Sequence, residues 1–177
     1  MEKLTKYQKY IFRITDRNLS RLIENIEINI NMALLQSERI LEDNASIDLP
    51  RVTPGPDQVL FLKLFSDIHF YLVSVDNARK SIDRLNEVLN GNLDEIKSTY
   101  EEFFNSTNAA RRCQEHLDQR IESGEYFGKS LYDNWVYEIC GNSVIIGPPA
   151  AKKLIELYRS IDTILEPVFP KKGEEVE

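Results

Sequence analysis

The chain has 177 residues, 42 % hydrophobic and 29 % charged, and a net charge of −7. That suits one globular domain spanning 1–177, with a core over about 5–165 and a tail over 166–177. The acidic balance argues against broad binding to duplex DNA, which needs many Lys and Arg contacts to phosphate. No apolar run approaches the ~18 residues that cross a bilayer, so no membrane partner is expected.

The start, Met1-Glu2-Lys3-Leu4-Thr5-Lys6-Tyr7, lacks the apolar stretch of a secretory signal. The expected location is therefore cytoplasmic. There Cys113 and Cys140 are expected as buried, reduced thiols.

The periodicity predicts an all-α bundle of four to five helices with one small β-hairpin near the C-terminus. The first helical region runs from about Thr5 to about Glu42. Leu19, Leu22, Ile26, Ala33 and Ile40 form its stripe, with Ile23 and Ile30 beside them. A break is placed near Asp16-Arg17-Asn18, because Asp and Asn are poor in helix interiors. The stretch 43–57 holds Pro50, Pro54, Gly55 and Pro56 and reads as a loop, with Pro56 in the first turn of the next helix.

In the second helix Phe61, Leu64, Ile68, Tyr71, Val75, Ala78, Ile82, Leu85 and Leu89 recur at spacings of three and four. Such a seam buries one face. Gly91 is read as the helix stop. Asn92 is read as the cap of a third helix, with Glu95 reaching back. Asn105-Ser106-Thr107-Asn108 favours caps over helix interiors and predicts a break, with a new start at Ser106 or Thr107. Helix then resumes from Ala109 to about Ile121. Trp135–Cys140 and Ser143–Ile146 are β-rich around Gly141-Asn142, a two-residue hairpin signal. The last helix is expected from about Ala150 to Leu165, with Leu154, Leu157, Ile161 and Ile164 inward.

Chemistry concentrates in Arg111-Arg112-Cys113-Gln114-Glu115-His116-Leu117-Asp118. Arg112 and His116 are four apart and share a helical face. An imidazole can move the proton of a 2′-hydroxyl near neutral pH, and a guanidinium can clamp phosphate oxygens. The competing reading is a solvated Arg-Glu-His network. A zinc site from Cys113, His116 and Cys140 would need a fourth ligand from Asp118 or Asp133. A di-iron site would need Glu three before each histidine, where Ser66 and Cys113 stand instead. No metal and no cofactor are expected. His69 is read as a helix-interface residue. Tyr132, Trp135 and Tyr137 are read as packing on the last helix rather than stacking on bases.

Arg111-x4-His116 resembles the Arg-x(4–6)-His signature of HEPN domains, small helical bundles of prokaryotic toxin, defence and RNA-processing proteins. The likeness covers roughly residues 15–165 in architecture, and the motif helix alone in specific residues. It implies a metal-independent ribonuclease acting as a homodimer with two motifs facing each other across a cleft. RNA is the implied partner. His116 would handle the 2′-hydroxyl proton, Arg111 would hold the phosphate with Arg112 assisting, and Glu115 would orient one arginine. The residue after the family's arginine is usually another polar one, often Asn, Asp or His; here it is Arg112. Other members are inactive, so the alternative is an interaction module, antitoxin-like, that binds a protein partner.

Overall fold

The computed structural model describes residues 4, 10, 14, 16–44, 56–115, 130–131, 135–139 and 141–169. Among them the elements are α1 (Arg17–Asn44), α2 (Pro56–Val88), α3 (Asp94–Thr99), α4 (Glu101–Glu115), β1 (Ser130–Leu131), β2 (Val136–Ile139), β3 (Asn142–Ile145) and α5 (Pro148–Val168). The expected helical bundle with a small C-terminal hairpin is what forms. Helix α1 packs along α2, α4 also packs on α2, α5 closes against α1, and β2 and β3 sit on α4.

One core joins all of these helices. On α2, Leu64, Ile68, Tyr71, Val75, Ala78, Ile82, Leu85 and Leu89 are buried, as their spacing requires. They meet Ile23, Ile26, Ile30, Ala33 and Ile40 of α1 and Leu154, Leu157, Ile161 and Leu165 of α5 in a continuous cluster. Among the described residues no helix is long and apolar enough to cross a membrane.

Helix α1 starts at Arg17, at the break expected near Asp16-Arg17-Asn18; most of the stretch from Thr5 to that break lies outside the described residues. Asp16 caps it: its Oδ1 accepts the Asn18 amide at 2.7 Å. Tyr10 lies in a turn and its ring is buried.

Helix α2 ends through Asn90 and Gly91, with φ of 54° and 89°. The Gly91 amide donates back to the Asn86 carbonyl at 3.0 Å, so Asn90 carries the first left-handed step and Gly91 follows it. The expected Asn92 cap does not form: Leu93 stands at the cap of α3, without a side-chain bond. Asn86 of α2 does that work instead. Its Oδ1 accepts the Leu93 amide at 2.7 Å and its Nδ2 donates to Asp94 Oδ1 at 2.7 Å.

The break expected at 105–108 falls at Tyr100 instead, and 105–108 is helix interior. The hydroxyls there stay inside the helix. Thr107 Oγ1 donates to the Phe103 carbonyl at 2.7 Å, and Ser106 Oγ reaches the same carbonyl at 3.1 Å.

In the hairpin, Ile139 pairs with Asn142 and Tyr137 with Val144. The two-residue link is therefore 140–141, one residue earlier than Gly141-Asn142. Gly141 has φ of 73°, and the second position of such a turn requires a positive value. A third short strand, β1, adds to β2 and was not expected. Tyr137 is buried, on a strand that packs against α4. The Trp135 ring lies on Gly147, where a Cβ would come within 2.5 Å of it. Tyr132 lies outside the described residues. Helix α5 then opens on Pro148 and Pro149 and continues to Val168, three residues past the expected end.

Cys113 is buried and disulfide-bonded, not a reduced thiol. It sits on the inner face of α4, on which β2 and β3 pack. The chain's other cysteine is Cys140, outside the described residues.

Candidate functional site

The inner stripe of α4 is Phe103, Thr107, Ala110 and Gln114, with Phe104 and Cys113 beside it. Its first turn carries Glu101 and Glu102, which favour the positive end of the helix dipole. Arg111 stands at the edge of that stripe, four residues after Thr107 and three before Gln114. Its side chain therefore turns toward α2.

There it meets Asp76. The Asp76 side chain is 1 % exposed, and its Oδ2 lies 3.2 Å from Arg111 Nε. Two more cations from α2 share the carboxylate. Arg79 donates from Nε and Nη2 to Oδ1 at 3.1 and 3.0 Å, and Lys80 Nζ is 2.7 Å from Oδ2. A buried charge persists only where partners repay its lost hydration. Burial is the largest single influence on Asp76 and pushes its pKa up. Hydrogen bonds from Lys80 and Arg79, with the charges of Arg111 and Lys80, outweigh it and hold the carboxyl below its ordinary value.

The network extends both ways. Arg111 Nη1 donates to Glu115, one turn on, in a short ion pair. Arg79 Nη1 reaches Asp83 Oδ2 at 2.8 Å, and Lys97 Nζ reaches Asp83 Oδ1 at 2.8 Å. Asp83 thereby raises the Lys97 pKa above its ordinary value. A small hollow of about 110 Å³ lies here, lined by Arg79, Asp83, Lys97, Phe104 and Asn105.

At the other end, His69 Nδ1 lies 3.3 Å from Oε1 of buried Gln114. This supports the interface reading of His69. The pairings His69 with Gln114 and Asp76 with Arg111 also show that α2 and α4 run in opposite directions.

The expected site residues thus separate. Arg111 and Glu115 come together. Arg112 is exposed, points away from Asp76, and pairs with no carboxylate among the described residues. Because α4 begins at Glu101, the two arginines sit in its interior and not in a frayed first turn, so they do not converge on one pocket. His116 lies outside the described residues, as does Asp118. Among the described residues no group of three or more His, Cys, Asp and Glu is placed to hold a metal ion. The disulfide at Cys113 also removes the thiolate on which the zinc alternative rested.

Asp76 was missed in the sequence, yet it left a signal. It lies beside Val75 on the buried seam, with Arg79 and Lys80 three and four residues on. A carboxylate on an apolar face with cations at that spacing is a candidate buried ion centre.

Comparison of the chain with known protein families, curated proteins and solved structures finds no match.

Proposed function

We propose that the α2–α4 seam is an RNA-phosphate site and that the chain is a HEPN-like, metal-independent ribonuclease acting as a homodimer. The observation that carries this reading is the grip of buried Asp76 on Arg111. A guanidinium that must stabilise charge on a phosphorus centre needs to be held before the substrate arrives. Asp76 Oδ2 pairs with Arg111 Nε across 3.2 Å from a second helix, an ion pair without a hydrogen bond between the two atoms, while Lys80 and Arg79 keep that carboxylate ionised. Lys80 and Arg112 remain exposed beside it and suit contacts to neighbouring phosphates.

In the proposed reaction the 2′-oxygen attacks phosphorus and the bond to the 5′-oxygen breaks. The products are a 2′,3′-cyclic phosphate and a 5′-hydroxyl. His116 takes the 2′-hydroxyl proton, and the departing 5′-oxygen takes a proton from solvent to become the 5′-hydroxyl. Arg111 stabilises the charge that builds on the phosphate oxygens, and Arg112, on another face of α4, contacts a neighbouring phosphate instead of the one being cleaved. Glu115 occupies Nη1 of Arg111 in the free protein. It is exposed and one turn away, so an incoming phosphate can replace it.

The test is cleavage of a short single-stranded RNA in EDTA, with a His116→Ala protein purified in parallel to expose contaminating ribonuclease. Wild type should cleave and His116→Ala should not; equal cleavage by both sinks the catalytic assignment. Sedimentation at micromolar concentration should show a dimer, with α4 in or beside the contact.

One observation favours a second reading. Two carboxylates, Asp76 and Glu115, already neutralise Arg111. That is the arrangement an inactive interaction module would keep. Glu115→Gln separates the two: it strengthens RNA binding if Glu115 competes with phosphate, and leaves RNA binding undetectable if the face serves a protein partner.

A further inference from the structure

The solvent face of α1 carries apolar side chains where a surface helix ordinarily carries polar ones. Ile28, Met32 and Leu35 are 43 to 50 % exposed. They are spaced by four and then three, so they form one stripe, on the side of α1 opposite buried Ile23, Ile26, Ile30 and Ala33. Asn31 bounds the stripe on one edge, where its side chain bonds the Leu4 amide and carbonyl at 2.9 and 2.8 Å.

Charges flank the stripe in a repeated order. Arg21 and Glu24 stand before it, Arg39 and Glu42 after it, and in each pair the arginine comes three residues before the glutamate. At 3.6 residues per turn all four project within roughly 50° of the stripe's centre. A second α1 laid antiparallel, with a two-fold axis beside Met32, sets Ile28 against the second copy's Leu35. It also sets Glu24 against the second copy's Arg39, and Arg21 against its Glu42, each pair occurring twice. A parallel copy in register would set like charge against like. Such self-complementarity is what a two-fold contact requires. Arg39 Nη1 already lies 3.6 Å from Asp67 Oδ1 of its own chain. Its side chain is nonetheless 52 % exposed, and a guanidinium has donors for a second carboxylate. Glu42 also has an interaction within its own chain, so the charge argument rests on Glu24 and Arg39.

We propose that this face of α1 binds a second copy of the chain, antiparallel, across that axis. The contact is separate from the one proposed at α4 and does not rest on the RNA reading. One helix face per copy is small beside the ~1,200 to 2,000 Å² that stable interfaces bury. The contact is therefore weak and fills only well above micromolar concentration. Where a dimer has formed through α4, it joins dimers into larger assemblies; where none has, it pairs monomers.

Sedimentation velocity from about 10 μM to about 1 mM tests this. The weight-average mass should rise toward twice its low-concentration value or beyond. Met32→Glu puts two like charges beside the axis and should hold the mass at the low-concentration value, with the circular dichroism of wild type. Glu24→Arg sets arginine against arginine at both ends and should raise the concentration of half-assembly about ten-fold. Crosslinking fixes the register. Under mild oxidation Met32→Cys should link to its own copy. Arg21→Cys should not, because antiparallel pairing holds the two copies of position 21 roughly 30 Å apart. A mass that stays constant with concentration overturns the proposal. So do an equal rise in Met32→Glu, unchanged assembly in Glu24→Arg, and a Met32→Cys protein that links no faster than Arg21→Cys.

Discussion

Two seams of this bundle hold buried or half-buried carboxylates by different means. On the α1–α5 side the holders are phenols. Tyr10 Oη donates to Asp162 Oδ1 at 2.5 Å, and Tyr158 donates to Glu27 in a short hydrogen bond. Burial first, then the nearby Glu27, pushes the Tyr158 phenol far above its usual range, so it stays a neutral donor. On the α2–α4 side the holders of Asp76 are cations, and each reaches toward the surface. A phenol pair fastens one element to another; Tyr10 thereby ties the chain before α1 to α5. A carboxylate shared by three cations does something else. It orients guanidinium and ammonium groups at the surface of a chain whose net charge is −7.

The largest expected effects fall on the cationic seam. If it is catalytic, His116→Ala should slow RNA cleavage by ~10²- to 10⁴-fold. Arg111→Lys should approach that loss, because an ammonium lacks the guanidinium fork. Single-turnover rates on a labelled single-stranded RNA measure both.

Stability should respond next. Asp76→Ala leaves Arg79, Lys80 and Arg111 without their shared partner, and breaking a buried ion pair costs about 3 to 5 kcal/mol. For a chain of this length that lowers Tm by about 6 to 20 °C, readable by calorimetry. The pH dependence has a defined sign. The folded-state pKa of Asp76 lies below its unfolded value. Its stabilisation is therefore present above the ordinary aspartate value, ~3.9, and is lost as pH falls through the lowered folded value. Asp76→Asn should flatten that part of an acid unfolding curve, and an unchanged curve would count against the ion cluster.

The phenol seam should give a smaller effect. Tyr10→Phe leaves a buried carboxylate short of one donor and should cost about 1 to 3 kcal/mol. RNA binding should not change. A Tyr10→Phe protein that folds normally yet loses RNA affinity would erase the distinction between the seams. Arg112→Ala should change stability least, within about 0.5 kcal/mol, because Arg112 is exposed. It should still lower the slope of log affinity against log salt by ~0.7 for single-stranded RNA.

Much of the fold was legible in the sequence because apolar spacing reports burial directly. Leu64 to Leu89 and Leu154 to Ile161 are inward where their periodicity puts them. Local polar signals misled where a tertiary or intrahelical partner overrode them. Asn86, from a neighbouring turn, supplanted Asn92 as the anchor of α3. Thr107 and Ser106 bonded to the Phe103 carbonyl within α4 and so did not end it. The candidate site was half legible. Arg111 and Glu115 pair one helical turn apart, which spacing alone anticipates. The contact from Arg111 to Asp76 joins residues 35 positions apart. No local pattern contains that contact, and so the spacing does not show that Arg111 is paired across to α2 and Arg112 is not.

Asp76 is proposed to act on RNA through Arg111. A double-mutant cycle on cleavage rate in EDTA tests it, using wild type, Asp76→Asn, Arg111→Lys and the double variant. Misplacement of a phosphate-holding group by about 1 Å costs on the order of 10²-fold. Asp76→Asn should therefore slow wild type by about that factor and should slow the Arg111→Lys protein hardly at all. Losses that multiply in the double variant, or a wild type that does not cleave, would contradict the account.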